Sequence, residues 1–329
     1  MRIVINGFGR IGRSIFRQIL TLPAHADVQV ALINEIAPLE TCAYLFKYDS
    51  TFGPLPYDVE VAPGGLRING RFIAFSAQGS LDDADLAGVD VVMECTGKVA
   101  SRAVAQRGLE AGARSVLVSG PSGFADATAV LGANEEAVVQ ARIVSNSSCT
   151  TNAIAPLLRL IDTHLGIERA HISTIHCYTN SQPLVDAPRA DLARSRAGAE
   201  SMVPTTTSAA HEVEAVLPEI GARISIAALR VPSLSVSALD ATFQLRRPVD
   251  GGIRDLLRDL AASTPVIGST DDPCVSRDMR GRPESLVLAL PETQIVGDSQ
   301  LRIFGWYDNE WGFSARMIDM ARRMAARNA

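Results

Sequence analysis

The sequence predicts an α/β protein of two domains, first a doubly wound parallel sheet and then an α+β unit built on a mixed or antiparallel sheet. Three observations predict it. Short β-branched runs alternate with amphipathic stretches as far as Ser148, and a glycine-rich turn follows the first of those runs. After Ser148 the texture changes to longer extended segments separated by irregular loops. With 329 residues the chain is long enough for two separate cores.

The elements follow in order. A strand is expected at residues 3–6, then a helix over 9–20 and a second strand at 28–34. Further strands are expected at 89–94, 115–118 and 142–145, with helices between them such as 101–111. A long helix is expected from Cys149 to about residue 165, with Ile154, Leu157, Leu158 and Ile161 on its apolar face. Extended segments are expected at 170–177, 224–231, 235–245 and 302–307. The terminal stretch 311–327 again has helical spacing, in Phe313, Met317, Met320, Ala321 and Met324, and is basic near its end, as a helix dipole favours. The expected division is 1–148, completed by a helix within 311–329, and 149–310 as the catalytic domain.

Composition excludes several classes. The net charge is -5 and the charged fraction 20%, which leaves no broad basic footprint for nucleic acid or an anionic membrane. Hydrophobic residues make up 47% and mean hydropathy is +0.13, yet no run of 18 apolar residues exists, so no membrane span is expected. The chain opens directly on a strand, without a basic and apolar leader pattern. The five cysteines (Cys42, Cys95, Cys149, Cys177 and Cys274) are scattered and lack metal-type pairs. Neither a disulfide framework nor a bound metal is expected, and a reducing cytoplasm fits. Lys47 and Lys98 are the only lysines, so any anion clamp here is a guanidinium fork.

Gly7-Phe8-Gly9-Arg10-Ile11-Gly12 is a G-x-G-x-x-G placed after a strand and opening a helix. Such glycines allow a tight turn and bring a pyrophosphate close to helix-terminal amides. By itself the pattern also describes an ordinary glycine turn. Its context is stronger: the second strand ends at Asn34-Glu35, about twenty residues on, where an acid can bind ribose hydroxyls. An acid there repels a 2′-phosphate, which favours NAD. The alternative for Glu35 is simply to cap a turn. Glu94-Cys95-Thr96-Gly97 and Ser119-Gly120-Pro121 end later strands, where a dinucleotide lies in a Rossmann-type domain.

In the second half, Ser147-Ser148-Cys149-Thr150-Thr151-Asn152 opens the long helix. Backbone amides and the helix dipole at such a start are expected to lower a thiol pKa. His176 lies in a predicted strand, and an imidazole could pair with the thiolate and move a proton on or off a substrate oxygen. A lone strand histidine is otherwise a structural residue. Pro204-Thr205-Thr206-Thr207-Ser208 supplies hydroxyls and amides, while Arg194, Arg196 and Arg230 supply guanidinium groups suited to anions, or to a solvated surface.

Taken together these segments resemble the glyceraldehyde-3-phosphate dehydrogenase family over essentially the whole chain. NGFGRIGR (6–13), KYDS (47–50), ECTG, SCTTN, the stretch 176–180, PTTT, LRVP (229–232) and WYDNEWG (306–312) occur in family order. The resemblance implies a phosphorylating NAD-dependent aldehyde dehydrogenase in which Cys149 forms a hemithioacetal and then a thioester, His176 acts as base, and inorganic phosphate releases an acyl phosphate. It implies that Arg10, Ile11 and Glu35 contact the adenosine and pyrophosphate end of NAD, that Thr96 and Ser119 line its path, and that Asn309 binds the nicotinamide carboxamide. Ser148, Thr150, Thr207, Ser208 and Arg194 match the attacking-phosphate site; Thr179 and Arg230 match the site for the phosphorylated aldehyde's own phosphate. A homotetramer is implied, with the loop at 178–200 reaching a neighbour.

Departures from the pattern are specific. Ala153 replaces a second cysteine, Ser181 stands where Asp is usual beside the substrate phosphate, and Ser208 replaces a common Gly. Glu35 stands for Asp and Phe313 for Tyr, while Ala187-Pro188 mixes features of NAD- and NADP-using members. Two alternatives stay open. The Asn34-Glu35 pair and the DNEWGF ending resemble an erythrose-4-phosphate dehydrogenase, although Tyr178-Thr179-Asn180 and PTTT follow the glyceraldehyde type. A non-catalytic binding or regulatory paralogue is opposed by the intact set Cys149, His176, Asn309 and Arg230.

Overall fold

The computed structural model describes residues 1–249 and 251–327. The chain divides into two compact units: Met1–Ala129 with Glu135–Ser148 and the residues from Ser314 onward, and Val130–Asn134 with Cys149–Phe313. The short segment Val130–Asn134, numbered within the first half, packs with the second unit.

The first unit holds strands β1 (Arg2–Asn6), β2 (Gln29–Asn34), β3 (Val59–Ala62), β4 (Gly65–Ile68), β5 (Arg71–Ser76), β6 (Val91–Glu94), β7 (Ser115–Val118), β8 (Ala127–Thr128) and β9 (Ile143–Ser145). They form one sheet in the order β3-β4-β5-β2-β1-β6-β7-β9-β8. From β5 to β8 all neighbours are parallel, while β3, β4 and β5 make an antiparallel meander at one edge. Ile3, Val4 and Ile5 of β1 are wholly buried, as a central parallel strand with both faces covered must be. Chain order reverses at β1, with β2 on one side and β6 on the other. That reversal opens a crevice at the strands' carboxyl ends. Helices α1 (Arg10–Thr21), α2 (Leu39–Lys47) and α3 (Arg102–Glu110) follow β1, β2 and β6. The meander over 59–76 is an addition to the elements expected from sequence; its strands are only four to six residues long, and β3 and β5 show little alternation.

The second unit opens on α4 (Cys149–His164) and contains β10 (Ile167–Cys177), β11 (Val203–Thr205), α5 (Ala209–Val216), α6 (Pro218–Gly221), β12 (Ile224–Val231), β13 (Ser237–Leu245), α7 (Ile253–Ala262), β14 (Ile267–Thr270), β15 (Leu286–Ala289), β16 (Gln294–Val296) and β17 (Gln300–Tyr307). Its sheet is mixed, in the order β11-β12-β10-β13-β17-β15-β14, with β16 pairing β17. The last helix, α8 (Trp311–Ala326), carries the chain back to the first unit.

One packing relation positions the chemistry. Ile154, Leu157, Leu158 and Ile161 of α4 are fully buried against Ile172, Leu239, Phe243 and Ile303 of the sheet. Each such side chain contributes roughly 1.5–3 kcal/mol through burial. The strand period of two puts Ala170, Ile172, Thr174 and His176 on one buried face of β10. The chain turns between α4 and β10 in two residues, so the strand runs back along the helix. The end of β10, where His176 sits, therefore lies beside the start of α4, where Cys149 sits.

Candidate active site

In the first unit the site is shaped by absent side chains. Gly7 has φ +94°, and a Cβ there would lie 2.6 Å from the backbone of Cys95 and Thr96. A Cβ on Gly12 would lie 2.2 Å from the Gly7 carbonyl oxygen. These two glycines let β1, the turn and α1 close on β6. Gly9, which caps α1, has nothing within 4 Å of where its Cβ would stand. It lines a cavity of about 430 Å³ together with Gly7, Asn34, Glu35 and Thr96. Open space before the start of a helix, with an acid across from it, fits a dinucleotide.

Polar groups behind this cavity are ordered. Glu94 accepts from Asn6 Nδ2 at 2.5 Å, from the Thr96 amide at 3.0 Å and from the Thr96 hydroxyl. Asn34 donates to Asn6 Oδ1 at 2.8 Å and accepts from Ser76 at 2.6 Å. Glu35 does cap the turn, accepting from the Phe8 amide at 2.8 Å and the Ala37 amide at 3.2 Å, and it also faces the cavity. Arg10 forms an ion pair with Asp49 at 2.5 Å, which gives the KYDS segment a structural function. Ile11 lies in the first turn of α1, and the Ser119 amide donates to the Glu94 carbonyl at 2.9 Å.

In the second unit, Cys149 Sγ lies 3.6 Å from His176 Nε2. The other ring nitrogen, Nδ1, lies 2.7 Å from the Cys177 carbonyl oxygen and 2.6 Å from Arg230 Nη1. Nδ1 cannot donate to the first and accept from the second at once. When its proton goes to the Cys177 carbonyl, Nε2 is left as the acceptor that faces the sulfur. Arg230 reaches this place through register: in the parallel pairing of β10 and β12 it is the partner of His176. Its Nη1 also donates to the Cys177 carbonyl at 3.0 Å, and its Nε is buried without a partner among the described residues.

Electrostatics here differ from the expectation for a helix start. Burial pushes the Cys149 thiol up, to about 11, outweighing the stabilisation of thiolate by Arg230 and Thr150. Burial and Arg230 push the His176 imidazolium down, to about 4. Each value is the cost of one charge in a dry setting. Moving the thiol proton to Nε2 creates opposite charges 3.6 Å apart, whose attraction favours ionisation of the pair over that of either group alone.

Tyr307, which sequence reasoning did not single out, organises this pair. Its buried hydroxyl lies 3.1 Å from Thr150 Oγ1 and 2.6 Å from Thr174 Oγ1, and its ring meets that of His176 edge-on at 6.0 Å. Burial pushes its phenol well above the ordinary value, so the hydroxyl stays protonated. Asn309 is fixed beside it, its Oδ1 accepting from Cys177 Sγ at 3.2 Å and Ser237 Oγ at 3.3 Å. Burial pushes the Cys177 thiol to about 12, which marks it as inert.

The anion-binding candidates separate. Arg194 is held against the 203–208 segment, with Nε 2.5 Å from Thr205 Oγ1 and Nη2 2.8 Å from the Thr206 carbonyl. Thr207 Oγ1 accepts from the Ala209 amide at 3.1 Å, and Ser208 donates to Glu212. Thr179 and Ser181 join hydroxyls at 2.9 Å. Arg196, expected as a further anion binder, is instead exposed and paired with Asp186 at 2.7 Å. Ser148 immediately precedes Cys149, and Ser147 before it holds φ +57°, an unusual conformation for a residue with a side chain. All five cysteines are free thiols, and among the described residues no group of metal-ligating side chains occurs. No described helix is long and apolar enough to cross a membrane.

Known proteins are similar to this chain across its length. Residues 1–102 match the family model described as glyceraldehyde 3-phosphate dehydrogenase, NAD binding domain, and residues 148–309 match its C-terminal domain. A protein of Pseudomonas aeruginosa named glyceraldehyde-3-phosphate dehydrogenase is 42% identical over 332 residues, which cover 99% of this chain and 98% of that one. Proteins of the same name from Xanthobacter flavus and Geobacillus stearothermophilus are 40% and 37% identical, each with at least 98% of both chains covered.

Proposed function

Because this chain belongs to the glyceraldehyde-3-phosphate dehydrogenase family and is an NAD-dependent oxidoreductase, we propose that it oxidises glyceraldehyde 3-phosphate to 1,3-bisphosphoglycerate through a thioester on Cys149. The observation that carries this is the 3.6 Å approach of Cys149 Sγ to His176 Nε2, with Arg230 against the far side of the same imidazole. A nucleophile, its base and an anion-binding guanidinium thus meet at one point. The names of the relatives favour glyceraldehyde 3-phosphate as substrate.

The residues divide the work as follows. His176 Nε2 takes the thiol proton as Sγ adds to the aldehyde carbon, and the Cys149 amide at the start of α4 supports the developing oxyanion. The imidazolium returns that proton to the oxyanion, which gives the hemithioacetal hydroxyl. His176 takes it again as the C–H bond breaks with loss of hydride and the C=O bond re-forms, leaving the acyl group on sulfur, and the proton then passes to solvent. NAD, when bound, supplies the acceptor for the hydride lost from that carbon. An oxygen of inorganic phosphate attacks the thioester carbonyl, the C–S bond breaks, and the electron pair returns to Sγ. Arg230, through its unpartnered Nε, and Thr179 hold the substrate's own phosphate, with Ser181 beside them. Arg194, Thr150, Thr207, Ser208 and Ser148 form the site of the attacking phosphate. Asn309, its oxygen already engaged, would offer its side-chain amide to the nicotinamide carboxamide. Gly7, Gly9, Gly12, Arg10, Ile11, Glu35, Thr96 and Ser119 serve the rest of the cofactor.

A homotetramer is part of this reading. Leu184 (80% exposed), Val185 (75%) and Leu192 (85%) stand out from the loop that would reach a neighbour, and burying them favours assembly. The Asn34-Glu35 pair favours a second reading, oxidation of erythrose 4-phosphate. Steady-state NADH production with each aldehyde, with and without inorganic phosphate, tests both. The expected result is strict phosphate dependence and a higher kcat/KM for glyceraldehyde 3-phosphate. A higher kcat/KM for erythrose 4-phosphate selects the second reading; turnover indifferent to phosphate contradicts both.

A further inference from the structure

Glu212 has no part in the reaction just described, yet it is bonded into two of its segments. It sits in the first turn of α5 and is only 6% exposed. Its Oε2 accepts from the Thr151 hydroxyl at 3.1 Å, in the first turn of the helix that begins at Cys149. Its Oε1 accepts from the Ser208 hydroxyl in a short hydrogen bond. A carboxylate this buried persists where donors replace water, and here hydroxyls come to both oxygens. Its charge also opposes thiolate formation at Cys149.

The consequence falls on the acceptor side of the site. A serine hydroxyl has one hydrogen, and that of Ser208 is directed at Glu212. Toward a ligand in the 205–208 loop, Ser208 therefore offers acceptor lone pairs and no donor. Arg194 is the cation bonded to this loop, and Glu212 sets a negative charge behind it.

Building on the phosphorylating reaction proposed above, we propose that the Glu212–Ser208 pair sets the charge state and affinity of the attacking anion, weakening phosphate binding and selecting its monoanion. The monoanion retains an additional P–OH group to donate to Ser208 Oγ, and it is repelled less by Glu212 than the dianion. Glu212 touches no reacting atom; it is a positioning residue that acts through Ser208 and Thr151.

Kinetics with varied inorganic phosphate at saturating aldehyde and NAD test this in Glu212→Gln. The KM for phosphate should fall by about fivefold through loss of the nearby charge, while the KM for aldehyde stays the same. An unchanged or raised phosphate KM, in a variant that melts with the wild type, overturns the proposal. In a Ser208→Gly background the gain from Glu212→Gln should shrink; a full gain there removes Ser208 from the account and overturns the pairing. A wild-type measurement covers a variant that fails to fold. The KM expressed as total phosphate should rise as pH climbs through the second ionisation of phosphate, and a flat or falling KM overturns the proposal. Wild-type turnover that ignores phosphate altogether overturns the phosphorylating reaction as well, and is distinguished by appearing before any substitution is made.

Discussion

The two units build their sites in opposite ways. In the NAD-binding unit the geometry comes from residues without side chains: Gly7 and Gly12 let three backbone segments close together, and Gly9 leaves room in front of α1. In the catalytic unit it comes from side chains that meet across long sequence separations, Cys149 with His176, Tyr307 with Thr150 and Thr174, and Arg230 with His176. A backbone site tolerates almost no added atom. A side-chain site tolerates changes of shape but depends on each polar partner. Substitutions should therefore fail differently in the two regions, by lost folding or binding in the first and by lost chemistry in the second.

The largest effect is expected at the sulfur. Cys149→Ala should lower turnover by at least about 10⁴-fold while NAD binding, measured by fluorescence quenching, persists. Retained turnover would break the comparison, because the catalytic unit would then not depend on its central side chain. His176→Asn comes next, with a fall in kcat of about 10²–10⁴-fold. Without the imidazole the Cys149 thiolate loses its counter-charge, so alkylation by iodoacetamide at pH 7 should slow at least about tenfold. A rate equal to wild type would show that the pair does not ionise together.

The same pair predicts a pH signature in stability. The folded imidazole titrates near 4 against an ordinary 6.5, so the unfolded chain binds a proton that the folded chain refuses. Stability should fall as pH drops below about 6.5, and His176→Asn should remove that part of the dependence in urea denaturation. The thiol has the opposite sign. Raised to about 11 from an ordinary 9, it should cost stability as pH rises above 9.

Glycine substitutions sharpen the contrast within the first unit. Gly7→Ala places a methyl against backbone at positive φ and should destabilise that unit by about 2–4 kcal/mol. Gly9→Ala meets no atom and should change stability by less than about 1 kcal/mol while weakening NAD binding. Equal loss of stability at both positions would contradict their separate functions. For turnover the smallest effect is expected for Tyr307→Phe, a modest loss of kcat with about 1–2 kcal/mol lost in stability. A rate loss as deep as that of His176→Asn would make the phenol part of the chemistry rather than its support.

This contrast also explains how far the amino-acid sequence could be read. The glycine turn, β1, β2 and α1 are local, so spacing within about thirty residues reveals them. Cys149 at a helix start was visible for the same reason. His176 was visible as a residue type, but its approach to Cys149 depends on α4 and β10 lying back to back. Tyr307 gave no local signal as a site residue, since its partners come from α4 and β10, more than a hundred positions earlier. Glu212 was not singled out, because one of its partners, Thr151, lies 61 positions earlier in the chain. The direction of the Cys149 shift was missed because desolvation depends on packing that no dipole argument includes.

The most direct test of the account is to trap the acyl group. The protein, mixed with glyceraldehyde 3-phosphate and NAD in phosphate-free buffer, should accumulate one covalent adduct per chain in intact mass spectrometry, released by added phosphate and located by peptide mapping on Cys149. An adduct on Cys42, Cys95, Cys177 or Cys274, or NADH formed in many turnovers with no adduct on Cys149, would contradict it.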